Sequence, residues 1–321
     1  MEKVNACPVC NSLKIKKIKD HLFKYPGDEI QDHLDDIHYE RLWILFNKIL
    51  KQKEQVIFET DLCEECGFIF LNPRFTDEEM KIKYDTINEL KGVKFRLEHD
   101  KLFKQENRAK SIYKLVNSFV SKVQIDSPKI LDYGGASGYI LEPFINNFDC
   151  NIVDFEKWEL PDGIKYLGKQ LSDLEKDLKF DVILLLHTLE HIVRPKLIIK
   201  EIFDRLSENG FLYVEVPLGA FQEWKYINDP LTHINYFSEQ SLFRLFELCG
   251  FKIIHLSSAY QRVTRAKTWC LNILGTKSEK SLPAPVNNIL STGKQMNKLM
   301  YYLPFVFHKR AYKKILKKIF N

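Results

Sequence analysis

Ile130-Leu131-Asp132-Tyr133-Gly134-Gly135-Ala136-Ser137-Gly138 is the stretch that sets the fold of this 321-residue chain. Its first half is a short apolar run of the kind a buried strand needs, and its second half is a glycine-rich turn. The next residues, Tyr139-Ile-Leu-Glu-Pro-Phe-Ile, read as the start of a helix beneath that turn. Glycine accepts backbone angles and close approaches that a Cβ forbids. Strand, glycine turn and helix in succession are therefore how an open α/β sheet holds a nucleotide-like ligand. Spacing narrows the ligand, because a dinucleotide fingerprint needs G-x-G-x-x-G and no register of Gly134, Gly135 and Gly138 supplies it. The segment fits D-x-G-x-[G/A]-x-G instead, through Asp132, Gly134, Ala136 and Gly138. Beyond it, the strand Cys150-Asn-Ile-Val-Asp154 ends in an acid, 22 residues after Asp132, that can take the two ribose hydroxyls of an adenosine.

Outward from the turn, strands are expected at 129–133, 150–154, 164–167, 181–186 and 211–216, separated by helical patterns. A further strand at 252–256 and a reversed edge strand at 268–274 would complete the set. Alternating β and α over this length implies a mostly parallel sheet with helices on both faces. Phe180-Asp-Val-Ile-Leu-Leu-Leu-His-Thr-Leu-Glu-His-Ile192 runs from a buried strand into the loop at its carboxyl end, where ligands bind in such sheets. That places His187, Glu190 and His191 on the active edge. Later, Thr232-His-Ile-Asn-Tyr-Phe-Ser238 leads into a helix capped by Ser238 and closed by Gly250-Phe251, with His233 and Tyr236 just before it.

The glycine turn, the Leu-Glu-His phrase and the later Gly210-Phe-Leu-Tyr-Val-Glu-Val-Pro217 resemble the class I S-adenosylmethionine-dependent methyltransferases. The resemblance implies an α/β fold with a Rossmann-like seven-stranded core. It implies S-adenosylmethionine held by Asp132, Gly134, Gly135, Ala136, Gly138 and Asp154, with His187 in contact through its main chain. Ala136 departs from the usual middle glycine and sets one methyl against the cofactor. His191, His233, Glu190 and Tyr236 are the candidate catalytic and acceptor groups. A histidine, whose pKa lies near neutrality, suits removal of the acceptor's proton as the sulfonium methyl moves to a hydroxyl or carbon, with Glu190 orienting or polarising it. His187 reads equally as a side chain satisfying backbone carbonyls, and Asp173 reads equally as an adenine contact and as a helix cap. A sharper variant takes His187, Glu190, His191 and His233 as a mixed imidazole and carboxylate site for a catalytic divalent metal. It resembles the metal site of small-RNA 2′-O-methyltransferases, with His187 in place of a glutamate.

Four of the seven cysteines form Cys7-Pro-Val-Cys10 and Cys63-Glu-Glu-Cys66, two C-x-x-C knuckles suited to a structural zinc ion. The 52 residues between the pairs must loop out, and 36–51 within them reads as a helix with apolar positions 42, 45, 46, 49 and 50. His33 and His38 read as solvated or capping residues, since four thiolates already fill the coordination sphere. Cys150, Cys249 and Cys270 read as buried small hydrophobes. After the second knuckle a short strand stops at Asn72-Pro73, and Thr76 with Glu79 forms a capping box for the next helix. The zinc module, Asn72-Pro73-Arg74 and the following Tyr84 resemble a bacterial family of sugar and polysaccharide methyltransferases, over about residues 1–260. This implies an acceptor that is a sugar, a nucleotide-linked sugar or a surface-glycan precursor. The readings set against it are a zinc-containing RNA methyltransferase or RNA-binding protein, and a domain that binds cofactor without turnover. Nucleic acid is disfavoured, because dense Lys/Arg patches and interleaved basic and aromatic residues are lacking outside the tail.

Expected boundaries are a zinc-binding module at 1–75, a helical linker at 76–125, the methyltransferase core at 126–275 and a basic C-terminal extension at 276–321. Net charge is only +5, but from Lys294 onward there are eight Lys/Arg and no acid. Residues 309–320 alternate basic and apolar pairs, as in an amphipathic helix that lies on an anionic membrane or packs on its own domain or a second subunit. No apolar stretch approaches a membrane span and no secretion signal is read behind Met1. A cytoplasmic location is expected, at the inner membrane face if the tail binds lipid.

Overall fold

The computed structural model describes residues 1–27, 30, 36–51, 53–101, 106–220, 223–263 and 267–277. His33 and the amphipathic helix read at 309–320 lie outside the described residues, as does almost all of the C-terminal extension. In chain order the elements are β1 (Ile15–Lys24), α1 (Ile37–Ile44, continued by a π-helical turn Leu45–Leu50), β2 (Gln55–Cys63), β3 (Ile69–Asn72), α2 (Asp77–Lys101) and α3 (Glu106–Val123). There follow β4 (Lys129–Tyr133), β5 (Asp149–Val153), β6 (Ile164–Gly168), β7 (Phe180–Leu186), α4 (Pro195–Arg205) and β8 (Leu206–Pro217). The last are β9 (Asn235–Tyr236), α5 (Glu239–Leu248), β10 (Lys252–Arg262) and β11 (Lys267–Thr276). Among the described residues no helix is long and apolar enough to cross a membrane.

The larger sheet has seven strands in the order β10-β11-β8-β7-β4-β5-β6. The five central and outer strands from β6 to β8 pair in parallel, as their unbroken apolar runs require when both faces are covered. Strand order reverses between β4 and β7, so a crevice opens at their carboxyl ends, with the glycine turn on one side and the Leu-Glu-His turn on the other. Two expectations are corrected here. Residues 268–274 do not form an edge, for β11 lies antiparallel between β8 and β10, and β10 is the outer strand. Cys270, Leu271, Ile273 and Leu274 are all buried, whereas β10 carries polar side chains suited to an open edge. The helix read after the glycine turn is also absent, with only a 3-10 turn at Glu142–Phe144. Pro143 cannot donate the backbone bond that a helix would need there.

The N-terminal region is built on an antiparallel sheet in the order β1-β2-β3-β9. Its last strand comes from the core, so the module expected at 1–75 is closed by residues 235–236, with Ile69 opposite Tyr236 and Phe70 opposite Asn235. Phe23, Phe58, Phe75, Leu231 and Ile234 share the apolar cluster between the two regions. The capping box at α2 forms as read: Glu79 Oε2 accepts from the Thr76 amide at 2.8 Å, and Thr76 Oγ1 accepts from the Glu79 amide at 3.2 Å.

Candidate active site and metal centre

The two knuckles bring their thiols together. Cys7 and Cys66 sulfurs lie 3.7 Å apart, Cys10 and Cys63 sulfurs 3.5 Å, and all four fall within 4.8 Å of one another. A tetrahedral zinc with Zn–S of about 2.3 Å separates its sulfurs by about 3.8 Å. The donor set and its spacing therefore fit that ion. Hydrogen bonds from Cys66 and Cys7 push the Cys63 thiol down to about 2, and the same shared bonds push Cys66 and Cys7 up. Cys150, Cys249 and Cys270 are buried, as expected.

At the glycine turn, Gly134 and Gly138 have φ of 79° and 76° and Ala136 has 44°. A Cβ on Gly134 would lie 2.6 Å from Thr188 Oγ1, and one on Gly135 would lie 2.8 Å from the Asp132 carboxyl carbon. Asp132 is 1% exposed, and burial pushes its carboxyl up to about 7. Its Oδ1 has no hydrogen-bond partner among the described residues. A cradle with no room for side chains, floored by a buried carboxylate short of a donor, fits the adenosyl and ammonium-bearing parts of S-adenosylmethionine. Asp154 is already engaged: Oδ2 accepts from the Ala136 amide at 3.0 Å, and Oδ1 accepts from the Glu156 amide at 3.0 Å and Trp158 Nε1 at 3.3 Å. It braces the turn. Asp173 accepts from the Lys169 and Gln170 amides, which is the capping role.

These geometries carry one paired prediction. Gly134→Ala combines a left-handed strain of about 1–2 kcal/mol with a collision and should weaken S-adenosylmethionine binding at least about tenfold by calorimetry. Ala136→Gly should raise the melting temperature slightly, because the strain relieved exceeds the roughly 0.5–1 kcal/mol of added unfolded-state freedom.

Across the crevice, the 3-10 turn Leu189–His191 follows β7. His187, at φ 52°, places Nδ1 3.3 Å from Glu190 Oε1 and Nε2 3.1 Å from Glu215 Oε1. Arg108 of α3 meets the same Glu215 oxygen at 2.6 Å. Burial opposes a charged His187, but hydrogen bonds with Cys270, Glu190 and Glu215 lift its pKa well above the usual value. Glu190, His187, Glu215 and Arg108 thus form a buried row of alternating charge. His187 also donates its amide to the Glu215 carbonyl at 2.8 Å.

His191 Nδ1 donates to the Thr232 carbonyl, which fixes the tautomer that leaves Nε2 an acceptor. Burial, then the neighbouring His233, hold its pKa well below the usual histidine value. The two rings lie 5.0 Å apart, and His233 Nδ1 sits 3.4 Å from Glu223 Oε2. Glu190, His191 and His233 each offer a ligand atom within 4.8 Å of the others. Tyr236 requires a correction. It is buried in β9 with its hydroxyl donating to the His233 carbonyl at 2.9 Å, so it supports His233 rather than facing an acceptor.

Spacing alone gave no sign of Lys83 and did not place Tyr84 or His38 at this edge. Lys83 is buried and donates to the Leu231 carbonyl at 2.6 Å, and burial pushes it down to about 7. Tyr84 stacks on Phe155 at 5.0 Å and 15°. His38 is not merely solvated or capping: its Nδ1 lies 2.7 Å from Asp229 Oδ2, and Asp229 accepts from the Leu231 and Thr232 amides. Lys83 and His38 therefore pin the 229–233 loop from the N-terminal side. The only signal for Glu215 was an acid inside an otherwise apolar strand phrase; Arg108 and Lys83 had none.

Residues 104–256 match a family profile described as a methyltransferase domain, a little under half of the chain. No curated protein matches. Among solved structures the chain is similar to 1,6-didemethyltoxoflavin-N1-methyltransferase of Burkholderia thailandensis, solved with 1,6-didemethyltoxoflavin and S-adenosylhomocysteine. That match has 13% identity over 67% of this chain and 98% of that one, with a TM-score of 0.50. A SAM-dependent methyltransferase of Methanosarcina mazei matches at 20% identity over 50% of this chain and 97% of that one, TM-score 0.40. One from Clostridium acetobutylicum matches at 13% identity over 58% and 98%, TM-score 0.44. The Burkholderia likeness is one of fold.

Proposed function

We propose that this chain transfers the methyl group of S-adenosylmethionine to a hydroxyl or carbon of a sugar, a nucleotide-linked sugar or a surface-glycan precursor. The observation that carries the reaction type is His191: a partly buried imidazole, its Nδ1 proton committed to the Thr232 carbonyl, on the carboxyl edge of β7 across from the glycine turn. The cofactor supplies an activated methyl carbon, so the protein's work is to orient the acceptor and remove its proton. The turn that would hold the cofactor packs Gly134, Gly135 and Gly138 directly against Thr188, Asp132 and Ile152, and Asp154 braces it through the Ala136 amide. His191 Nε2 takes the proton, and Glu190, 4.0 Å away, favours the imidazolium that forms. His233 orients the acceptor, with its own ring set by Glu223 and its carbonyl by Tyr236.

The sugar assignment is supported by the four-cysteine module, the Asn72-Pro73-Arg74 phrase and Tyr84. Nucleotide sugars and capsule fragments incubated with labelled S-adenosylmethionine should yield a methylated sugar. Clear cofactor binding with transfer to none of them would overturn the acceptor class.

A second reading has its own observation. Glu190 is 2% exposed; its Oε1 lies 3.3 Å from His187 Nδ1, its Oε2 has no hydrogen-bond partner among the described residues, and it sits beside His191 and His233. Those three residues would hold a divalent cation, which would bind acceptor oxygens and lower the pKa of the reacting hydroxyl. On this reading EDTA abolishes turnover, Mg²⁺ or Mn²⁺ restores it, and the cysteine-bound zinc is retained. Unchanged turnover in EDTA removes it.

A further inference from the structure

Arg74 sits where the four-cysteine centre, the Leu-Glu-His turn and β9 meet. It is 5% exposed. Its Nε donates to the Val193 carbonyl at 3.2 Å, and Nη2 donates to Asn235 Oδ1 at 2.9 Å. Asn235 Nδ2 in turn donates to the carbonyls of Leu189 at 2.9 Å and Ile192 at 2.7 Å. One guanidinium therefore ties the turn that carries Glu190 and His191 to the strand that follows His233. Its remaining nitrogen, Nη1, is buried without a hydrogen-bond partner among the described residues. Arg74 and Cys7 line the same cleft, so the guanidinium borders the four-cysteine centre.

The second knuckle is docked on the same segment. Ser238 Oγ donates to the Gly67 carbonyl at 3.2 Å, Gln240 Nε2 donates to the Glu65 carbonyl at 3.3 Å, and the rings of Phe68 and Phe237 lie 5.0 Å apart. Four thiolates around a divalent zinc leave a net charge near −2, which offsets the desolvation of a neighbouring buried cation. The cofactor turn, by contrast, is braced by Thr188, Val153 and Asp154 and makes none of these contacts.

We propose that Arg74 is a positioning residue through which the four-cysteine zinc centre holds the segments bearing His191 and His233, so that zinc sets the acceptor side of the site and leaves the cofactor turn unchanged. The inference rests on zinc occupying the four cysteines and is independent of the acceptor's identity.

The test uses the full-length, zinc-loaded protein and reads amide hydrogen exchange by mass spectrometry, zinc content, and S-adenosylmethionine affinity by calorimetry. In Arg74→Met, zinc content and cofactor affinity should match wild type, while amides in 189–193 and 233–237 exchange at least about tenfold faster. Arg74→Lys should recover part of that protection. Asn235→Leu, which removes the core-side partner and keeps Arg74, should loosen the same segments and covers the case in which Arg74→Met does not fold. Stripping zinc from wild type should expose 189–193 and 233–237 and spare 130–138. Unchanged protection in Arg74→Met, an equal loss at 130–138 on stripping, or a wild-type protein purified without zinc would each overturn the coupling.

Discussion

His191→Gln is expected to lower kcat by about 10²–10⁴-fold with S-adenosylmethionine affinity unchanged, the range lost when a positioned general base is removed. The sign of the pH dependence follows from the direction of the shift. Only the free base accepts a proton, and burial together with His233 holds the His191 pKa well below 6.5. The neutral form thus predominates at and below neutrality, so kcat should be flat near pH 7 and fall only in acid, beneath the ordinary histidine range. His233→Gln, by removing the second contributor to that depression, should move the acid limb upward. Steady-state rates across a pH series decide this. A variant with wild-type kcat, or an acid limb at or above 6.5 in the unmodified enzyme, would assign the base elsewhere.

Loss of zinc should have the largest effect on stability. Binding at such centres supplies about 10–16 kcal/mol in isolated zinc-finger peptides near neutral pH, comparable to the whole folding free energy of about 5–15 kcal/mol of an ordinary domain. Cys63→Ser removes a fully buried ligand and should cost the metal and at least about 10 °C of melting temperature. Because β9 of the core completes the N-terminal sheet, the change should register in the main calorimetric transition and not only in a separate small one. Zinc binds deprotonated thiols, so acidification should release it and the stabilisation should vanish as pH falls. Wild-type melting and zinc content in Cys63→Ser would show that the four cysteines hold no structural ion.

Local signals in the chain were read reliably where the interaction spans few residues. The strand before Gly134, the Thr76 and Glu79 box, and the Ser238 cap, which accepts from the Ser241 amide, each depend on neighbours within about one turn. The cysteine pairs were legible because a metal knuckle is itself a short-range object. Residues that spacing could not rank owe their role to distant partners. Tyr236 pairs in β9 with Ile69 of β3, and Lys83 donates to the Leu231 carbonyl 148 residues further on. His38 reaches Asp229 and Arg108 reaches Glu215 across gaps of the same kind.

Periodicity and glycine spacing settle that this chain builds an open α/β sheet with a glycine turn at 134–138, since backbone sterics and alternation of burial are properties of contiguous residues. Tertiary packing alone decides that the N-terminal sheet takes its last strand from the core, that β11 lies inside the larger sheet, and that burial and His233 lower the His191 pKa. Strand pairing, desolvation and charge coupling depend on which side chains share a buried space, and that is set only when segments remote in the chain close upon one another.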